Sequence, residues 1–588
     1  MRVAVLLEER CQPKRCNQEC ITFCPVVRAG TNCIEMGEKG KPVVYEQLCI
    51  GCGICVNKCP FDALRIEGLP EELHQNLLNQ YGMNSFRLYG LPYPESGKVI
   101  GLLGENGIGK STSLSILSGN VVPNLGKFDT PPDRDAVVEF FRGTGLKGYF
   151  SSLYSGKLSV ALKPQYVDGI PRVFKGIVRQ MLERVDSSGR LDEVSDMLGL
   201  RGAMDSPLDH LSGGQLQKVA IAATLLKDAD VYLIDEPSSY LDIGERLQVA
   251  AAIREICGSR MCVVVEHDLA IFDYLSDNVN IFYGVYGAYG IVSRAMGART
   301  AVNAYLEGRL KEENIRFRNY SIDFNSRPAE RPLPPEVAFS YPSFAVKYPS
   351  FEMEAASGEV RRGEVVGLLG RNATGKTTFI RVLSGEIEAS SGHIPRTISV
   401  SYKPQYVSFS TDETVRELLT GAGGERVSSP FYISEVIEPL DLRYLLDSKA
   451  SSLSGGEMQR VAIAVCLLRD ADLYLIDEPS AYLDVAQRMV AAKVIRRVIE
   501  NAKKSAFVVE HDIYFIDLAA DRLITFSGSP SFEGHASSPL TMKEGMNRFL
   551  QLLDITFRRD GNSGRPRINK KGSKIDRDQR TSGNLYYE

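Results

Sequence analysis

The sequence predicts a multidomain protein in which a small, cysteine-rich α+β domain precedes two α/β domains of the P-loop kind. Three observations carry that prediction. Nine of the 12 cysteines fall before residue 60, two glycine-loop segments repeat past residue 75, and 588 residues exceed the roughly 250–300 that one core fills. With 44% hydrophobic and 24% charged residues the chain sits near the globular averages of about 45–50% and 25%, which excludes wholesale disorder, collagen-like repeats and coiled-coil rods. A net charge of −4 says nothing about partners. No apolar run reaches about 18 residues, so no membrane-spanning helix is expected. The opening MRVAVLLEERCQPKRC puts Glu8, Glu9 and Arg10 straight after a short apolar run, without the longer core and small-residue cleavage site of a secretory signal. A cytoplasmic chain is expected.

In the reducing cytosol, nine crowded thiols point to metal rather than to disulfides. Cys49-Ile-Gly-Cys52-Gly-Ile-Cys55-Val-Asn-Lys-Cys59-Pro60 has the C-x2-C-x2-C-x3-C-P spacing of a bacterial ferredoxin, whose fourth thiolate reaches across to a second cluster. Gly51 and Gly53 let the backbone wrap such a cluster. The earlier group, Cys11, Cys16, Cys20 and Cys24-Pro25, is more widely spaced. By the crossing rule one [4Fe-4S] cluster takes Cys11, Cys16, Cys20 and Cys59, and a second takes Cys24, Cys49, Cys52 and Cys55. Cys33 is left over as a structural or free thiol. Two zinc sites are the alternative, because C-x2-C pairs also bind zinc. Cys257, Cys262 and Cys466 lie in apolar segments and read as core thiols.

Past residue 75 the chain says the same thing twice. KVIGLLGENGIGKSTSLSIL gives an apolar run, a loop with Gly104, Asn106, Gly107, Gly109 and Lys110, and then a helix opened by Ser111 and Thr112. EVVGLLGRNATGKTTFIRVL repeats it with Gly370, Asn372, Gly375, Lys376, Thr377 and Thr378. The N–H groups of such a loop cradle phosphate oxygens at a helix N-terminus. Lys110 and Lys376 reach the β/γ-phosphates, while Ser111 and Thr377 ligand Mg²⁺. Asp235 and Asp477 end apolar strands, where ligands bind in parallel α/β sheets, and suit an indirect hold on Mg²⁺. Glu236 and Glu478, one residue further, are placed to polarise an attacking water. Ser212-Gly-Gly214 and Ser454-Gly-Gly456 open helices as anion sites or as ordinary N-caps. Each serine lies 23 residues before its aspartate, and that recurrence favours a shared role. His267 and His511, in VVVEHD and FVVEHD, are candidate contacts to the γ-phosphate, and Gln165 and Gln405, both in KPQYV, are candidates for Mg²⁺ and the attacking water.

This order of motifs resembles an ATP-binding-cassette (ABC) domain. Two cassettes behind a two-cluster ferredoxin module resemble ABC subfamily E, the RNase L inhibitor family, which recycles ribosomes. The resemblance spans essentially the whole chain, including GMNRFLQLLDITFRRD and the basic segment after it, which is similar to the family's second hinge. It implies an N-terminal ferredoxin-like domain over 1–75, cassettes over 76–293 and 332–535, and hinges over 294–331 and 536–588. It implies an ABC-type ATPase using ATP, Mg²⁺ and two [4Fe-4S] clusters. It also implies head-to-tail cassettes, so that Lys110, Ser111, Gln165, Asp235, Glu236 and His267 share a nucleotide with Ser454. Lys376, Thr377, Gln405, Asp477, Glu478 and His511 would share theirs with Ser212. The adenine would stack on an aromatic before each loop: Tyr81 or Phe86 in the first copy, Tyr341 or Phe351 in the second, with a core aromatic the equal alternative for each. The implied partners are the small ribosomal subunit and its rRNA, a release factor of the Pelota/eRF1 type and initiation factors, with no membrane and a monomeric chain.

The copies differ. Lys110 and Gln165 are 55 residues apart, Lys376 and Gln405 only 29, and the excess falls around FRGTGLKGYFSSLYSGK at 141–157. This is similar to the family's helix-loop-helix insertion, which contacts the small subunit; a partnerless surface loop is the alternative. Ala373 replaces a loop glycine and is expected to be tolerated if its φ is negative. Gln215 stands where the second copy has Glu457, which makes the signature helices unequal. From Thr556 onward nine Lys/Arg oppose four acids, and 294–331 holds eight against five. Such clusters meet RNA phosphate or pack the hinges. The function implied is ATP-driven closure that moves the iron–sulfur domain and splits ribosomal subunits. An iron–sulfur redox enzyme with ATP-gated electron transfer is the alternative from another class.

Overall fold

The structure, a computed structural model, describes residues 2–7, 10–37, 40–45, 48–68, 77–82, 85–322, 324, 336–395, 398–409 and 412–586. The expected boundaries at 75/76 and 331/332, and Glu8 and Glu9, lie outside them. The chain forms two compact units. One holds Met1–Pro237, Ala251–Glu266 and Leu275–Asn319, the other Ser238–Ala250, His267–Tyr274 and Tyr320–Glu588.

In the first unit, strand Arg2–Leu6 pairs antiparallel with Leu64–Gly68, and Ile34–Met36 with Pro42–Val44. Short helices Glu19–Thr22, Pro25–Arg28 and Ile54–Lys58 hang between them. Pro25 opens its helix where a missing N–H costs nothing. Gly53 opens the third at φ 77°, a left-handed conformation that a side chain would strain. Ala4, Leu6, Ile34, Val44 and Leu64 form a core that includes Cys20, Cys24, Cys33 and Cys55.

The α/β part of this unit runs Val160–Lys163, Val231–Asp235 and Met261–Val265 as parallel neighbours, with Lys98–Leu103 parallel to Asn278–Val285. Every residue of Val231–Asp235 is buried, as expected of a parallel strand covered on both faces. Helices Arg134–Phe140 and Gly145–Tyr154 occupy the stretch around 141–157. Three of its aromatics, Phe141, Tyr149 and Phe150, join the core, and Tyr149 Oη donates to Leu117 O at 2.6 Å, while Phe140 is exposed. Within 294–331, Ala301, Val302, Tyr305 and Leu306 of helix Ala298–Glu307 are buried, and Arg318 Nη2 donates to Leu306 O at 2.9 Å. Arg318 is thus engaged in packing.

The second unit carries a nine-stranded sheet in which Arg522–Ser527, Glu364–Gly370, Ser505–Val509, Leu473–Asp477 and Val400–Lys403 are parallel neighbours. Strand Glu533–Ala536 runs across the expected boundary at 535/536. Helix Met542–Leu553 buries Met546, Phe549 and Leu550, and its Gly545 approaches Leu523 so closely that a Cβ would come within 2.6 Å. A hairpin, Phe557–Arg559 with Pro566–Ile568, and helix Lys574–Ser582 complete the unit. Among the described residues no helix is long and apolar enough to cross a membrane.

Candidate nucleotide and iron–sulfur sites

The thiols fall into two groups. Cys11, Cys16, Cys20 and Cys59 line one cavity together with Leu6, Phe61 and Leu64. Cys55 is close to Cys49, Cys52 and Cys24. Cys33 is buried within reach of Cys24 and Cys49. Among the described residues no three His, Cys, Asp or Glu side chains converge closely enough to hold a single metal ion. Burial, with neighbouring thiols, pushes Cys20 and Cys33 up to about 12 and Cys55 up to about 11. Left as thiols they are neutral, and a bound cation is what ionises such a set. Eight thiols in two groups, the first around an apolar-walled cavity, fit a pair of iron–sulfur clusters. No disulfide forms among the 12 cysteines, and Cys257, Cys262 and Cys466 are buried.

Both glycine loops fold the same way. Strands Lys98–Leu103 and Glu364–Gly370 lead into them, and helices Lys110–Leu117 and Lys376–Ser384 follow. Gly109 at φ 99° and Gly375 at φ 97° make the last turn. Lys110 Nζ donates to Gly104 O (2.7 Å) and Glu105 O (2.6 Å), and Lys376 Nζ to Gly370 O (2.9 Å) and Arg371 O (2.7 Å). Asn372 N donates to Asp242 Oδ2 at 2.9 Å in the second unit. One expectation fails. Ala373 lies at φ 57°, not at a negative angle, and matches Gly107 at φ 66°. The loop needs a left-handed residue there whichever side chain it carries.

The hydroxyls next to the lysines meet the aspartates at the strand ends. Ser111 Oγ donates to Asp235 Oδ2 at 3.0 Å, and Thr377 Oγ1 to Asp477 Oδ2 at 2.9 Å. Asp477 Oδ1 is buried without a hydrogen-bond partner, and burial with the adjacent Glu478 pushes this carboxyl up to about 7. An orphan carboxylate oxygen beside a hydroxyl is a site short of a cation, so the donor set fits Mg²⁺. Gln165 Nε2 donates to Glu236 Oε1 and Gln405 Nε2 to Glu478 Oε1, both at 2.8 Å. His511 Nε2 stands 3.6 Å from Glu478 Oε1. Burial raises Glu478, but His511 and Gln405 outweigh it and hold this carboxyl at about 2, ionised throughout the working range. His267 is buried at the start of its segment of the second unit.

Glu236 and Glu478 adopt φ 46° and 45°, and each N–H donates at 2.9 Å to the neighbouring strand, at Val265 O and Val509 O. A left-handed non-glycine residue costs about 1–2 kcal/mol. The surroundings that hold it include residues the sequence reading passed over. Lys163 Nζ donates to Asp235 O at 2.7 Å, Lys403 Nζ to Asp477 O at 2.7 Å, and Gln217 and Gln459 each donate at 2.7 Å to the carbonyl of the following glutamate. The lysine sits inside KPQYV both times, so the repeat itself was the available signal.

The signature serines are N-caps. Ser212 closes a capping box with Gln215, and Ser454 with Glu457, so the Gln/Glu difference leaves the two helix starts alike. Gly456 lies close under Tyr482 O, 3.1 Å from where a Cβ would stand. The adenine candidates separate. Tyr341 is 2% exposed among Phe339, Phe344, Phe379 and Phe507, so it has no face for a base; the aromatic core claims it instead. Phe86 and Phe351 lie against Gly109 and Gly375, and exposed Tyr81 donates to Thr112 Oγ1 at 3.3 Å. Tyr286, missed from the sequence, stands over Gly107.

Of the C-terminal basic residues, Arg559, Arg565 and Arg567 are held in ion pairs inside the fold, and Lys571 and Arg580 pair with Asp554. Lys570 and Lys574 are exposed.

Comparison with known proteins identifies the domains that carry these residues. The chain matches the ABC transporter family over residues 94–239 and 353–481. Residues 1–32 match the possible Fer4-like domain in RNase L inhibitor, and 42–65 the 4Fe-4S binding domain. The ABC transporter E family member 1 of Arabidopsis thaliana is 45% identical, over 100% of this chain and 98% of its own. Two solved structures are 47% identical. An archaeal ribosome recycling factor, aABCE1, in complex with the archaeal ribosomal stalk protein aP1 covers 88% of this chain and 100% of its own, with a TM-score of 0.84. A chain from a model of ribosome-bound archaeal Pelota and ABCE1 covers 100% and 99%, with a TM-score of 0.94. With iron–sulfur and ABC ATP-binding domains in this order and such identity over its full length, the chain belongs to ABC subfamily E, the RNase L inhibitor family.

Proposed function

We propose that the chain is an ATP-hydrolysing ribosome recycling factor. The observation that carries the reading is the duplicated acidic pair, with each trailing glutamate strained, ionisable and steered by its own glutamine at 2.8 Å. Glu236 and Glu478 act as general bases on the attacking water. Gln165 and Gln405 orient them, and His267 and His511 face the γ-phosphate. Lys110 and Lys376 exchange their loop-carbonyl bonds for the β/γ-phosphates. Ser111 with Asp235, and Thr377 with Asp477, hold Mg²⁺, which when bound neutralises phosphate charge. Ser212 and Ser454, with Gly214 and Gly456, complete the opposite copy's nucleotide. Phe86 and Phe351, with Tyr81, take the adenine.

The division is a ferredoxin-like domain to about residue 75 with two [4Fe-4S] clusters, two cassettes, and hinges at 294–331 and after Leu553. The clusters stiffen the N-terminal domain as a lever rather than carry electrons. Nucleotide favours the closed arrangement because both copies contact it only there, and hydrolysis withdraws those contacts. Likeness over the full chain to ribosome-bound and stalk-bound relatives supports the ribosome, its small subunit and a Pelota-type factor as partners.

The test is sedimentation with purified ribosomes. Glu478→Gln keeps the side chain's shape and removes the base, so with ATP the protein should stay on the small subunit. Free migration under those conditions would rule the reading out.

A further inference from the structure

Eight of the nine N-terminal thiols fall into two groups of four, and Cys33 is the ninth. It is 1% exposed, so bulk water does not reach it. Its backbone is held on both sides: Cys33 N donates to Thr31 O and Tyr45 N donates to Cys33 O, each at 2.7 Å. Strand Ile34–Met36 follows at once and pairs with Pro42–Val44, which leads to Tyr45. Tyr45 O in turn accepts from Cys49 N at 3.0 Å and lies 4.0 Å from Cys33 Sγ. One residue therefore places Cys33 and Cys49 together. Cys24, at the start of helix Pro25–Arg28, completes the contact, and the Cys33 thiol is within hydrogen-bond reach of both sulfurs.

The first group differs. Cys20 is close to Cys11, Cys16 and Cys59, its own partners, and the cavity these four line has no fifth cysteine among its described residues. A buried thiol gains little from a long contact to a carbonyl, and a small apolar side chain would pack its space equally well. What the thiol alone offers is a soft sulfur ligand. An iron that loses one thiolate is an open cationic site, and such a cation offsets the cost of ionising a buried thiol beside it.

We propose that Cys33 is a spare ligand of the second cluster, able to take the place of Cys24 or of Cys49 when either thiolate is lost. The exchange moves no electron: the S–H bond of Cys33 breaks, its proton leaves to solvent, and its sulfur bonds the iron left open. The inference rests on the two-cluster reading above and makes the clusters unequal, because the second holds a replacement for two of its four ligands.

Iron and acid-labile sulfide counted on the full chain, alongside native mass spectrometry, test it. The parent should hold about eight iron atoms, four per cluster. Cys24→Ala should keep essentially all of them, and Cys24→Ala combined with Cys33→Ala about half; alanine is used because a serine oxygen can itself bind iron. Cys33→Ala alone should keep all. Cys52→Ala should keep about half whichever residue stands at 33, because Cys52 holds the exposed edge and Cys33 the buried one. Half the iron in Cys24→Ala with Cys33 present overturns the spare ligand, as does full iron in the double variant, full iron in Cys52→Ala or loss from Cys33→Ala alone. A parent without iron and sulfide overturns the cluster reading itself, whereas a fully loaded parent whose Cys24→Ala has lost half overturns only the spare ligand. Should Cys24→Ala not fold, Cys49→Ala takes its place with the same expected counts.

Discussion

Exchanging one methyl between the two glycine loops should have opposite consequences in the two copies. Gly107 and Ala373 both sit near φ 60°, at 66° and 57°. A non-glycine residue there costs about 1–2 kcal/mol, while glycine in its place gives back about 0.4–1 kcal/mol through the freer unfolded chain. Ala373→Gly should therefore stabilise its loop by about 0.5–1 kcal/mol. Gly107→Ala meets the same strain and more, because its Cβ would come within 2.4 Å of Tyr286 Cε2 and 2.5 Å of Cδ2. Moving that half-exposed ring adds about 1–2 kcal/mol, giving about 1.5–3 kcal/mol of destabilisation in all. The second copy escapes this because its turn carries Pro530 where the first carries Tyr286. The two turns brace their loops alike, with Gly287 N donating to Gly107 O at 3.2 Å and Ser531 N to Ala373 O at 3.0 Å. Peptide-resolved hydrogen exchange in a urea series reads the two loops separately, which matters because a chain of several domains has no single unfolding free energy. Adding Tyr286→Ala to Gly107→Ala should recover the ring's share and leave the backbone's, a coupling of about 1–2 kcal/mol. If both single substitutions shift stability in the same direction, or Tyr286→Ala recovers nothing, the reasoning is wrong.

Other consequences follow from the same geometry. Cys20→Ser should remove about half of the bound iron, since one of the two clusters loses a thiolate ligand while the other keeps all four, and loosen the N-terminal domain; iron analysis with visible absorbance checks it, and full iron content would contradict the grouping. Lys163→Met leaves Asp235 O without its buried donor, worth about 1–3 kcal/mol, and should slow hydrolysis at that copy by about ten-fold at unchanged ATP affinity; an unaltered single-turnover rate would show that the lysine does not hold Glu236. Ribosome binding should lose about one unit of salt slope for each of Lys570→Ala and Lys574→Ala, because these side chains are exposed. Equal loss from Arg567→Ala would place a residue paired with Asp273 at the phosphates instead.

Much of the site was legible because its chemistry is local. Gly104 to Lys110 and Gly370 to Lys376 are contiguous, and a loop that must cradle phosphate needs particular residues at fixed offsets. The acidic pairs end continuous apolar strands, so their place at the sheet edge follows from strand geometry. Tyr341 stayed open in the sequence because an aromatic close before a glycine loop is equally able to turn inward, and only the packing of Phe344, Phe379 and Phe507 around it decides for the core. Lys163 and Gln217 were passed over because their partners are backbone carbonyls, so that the repeat could mark the lysine but not say what it holds.

By itself, the sequence determined the order of domains, the duplicated phosphate loops, their carboxylates and the cysteine runs, since each is set by bonding demands a few residues long. Tertiary structure alone decided that Tyr341 is claimed by the aromatic core, that Ala373 must be left-handed, and which C-terminal arginines are consumed by Asp273 and Asp517. Those choices depend on what lies across space, hundreds of residues away along the chain, where burial rather than spacing fixes each side chain's partner.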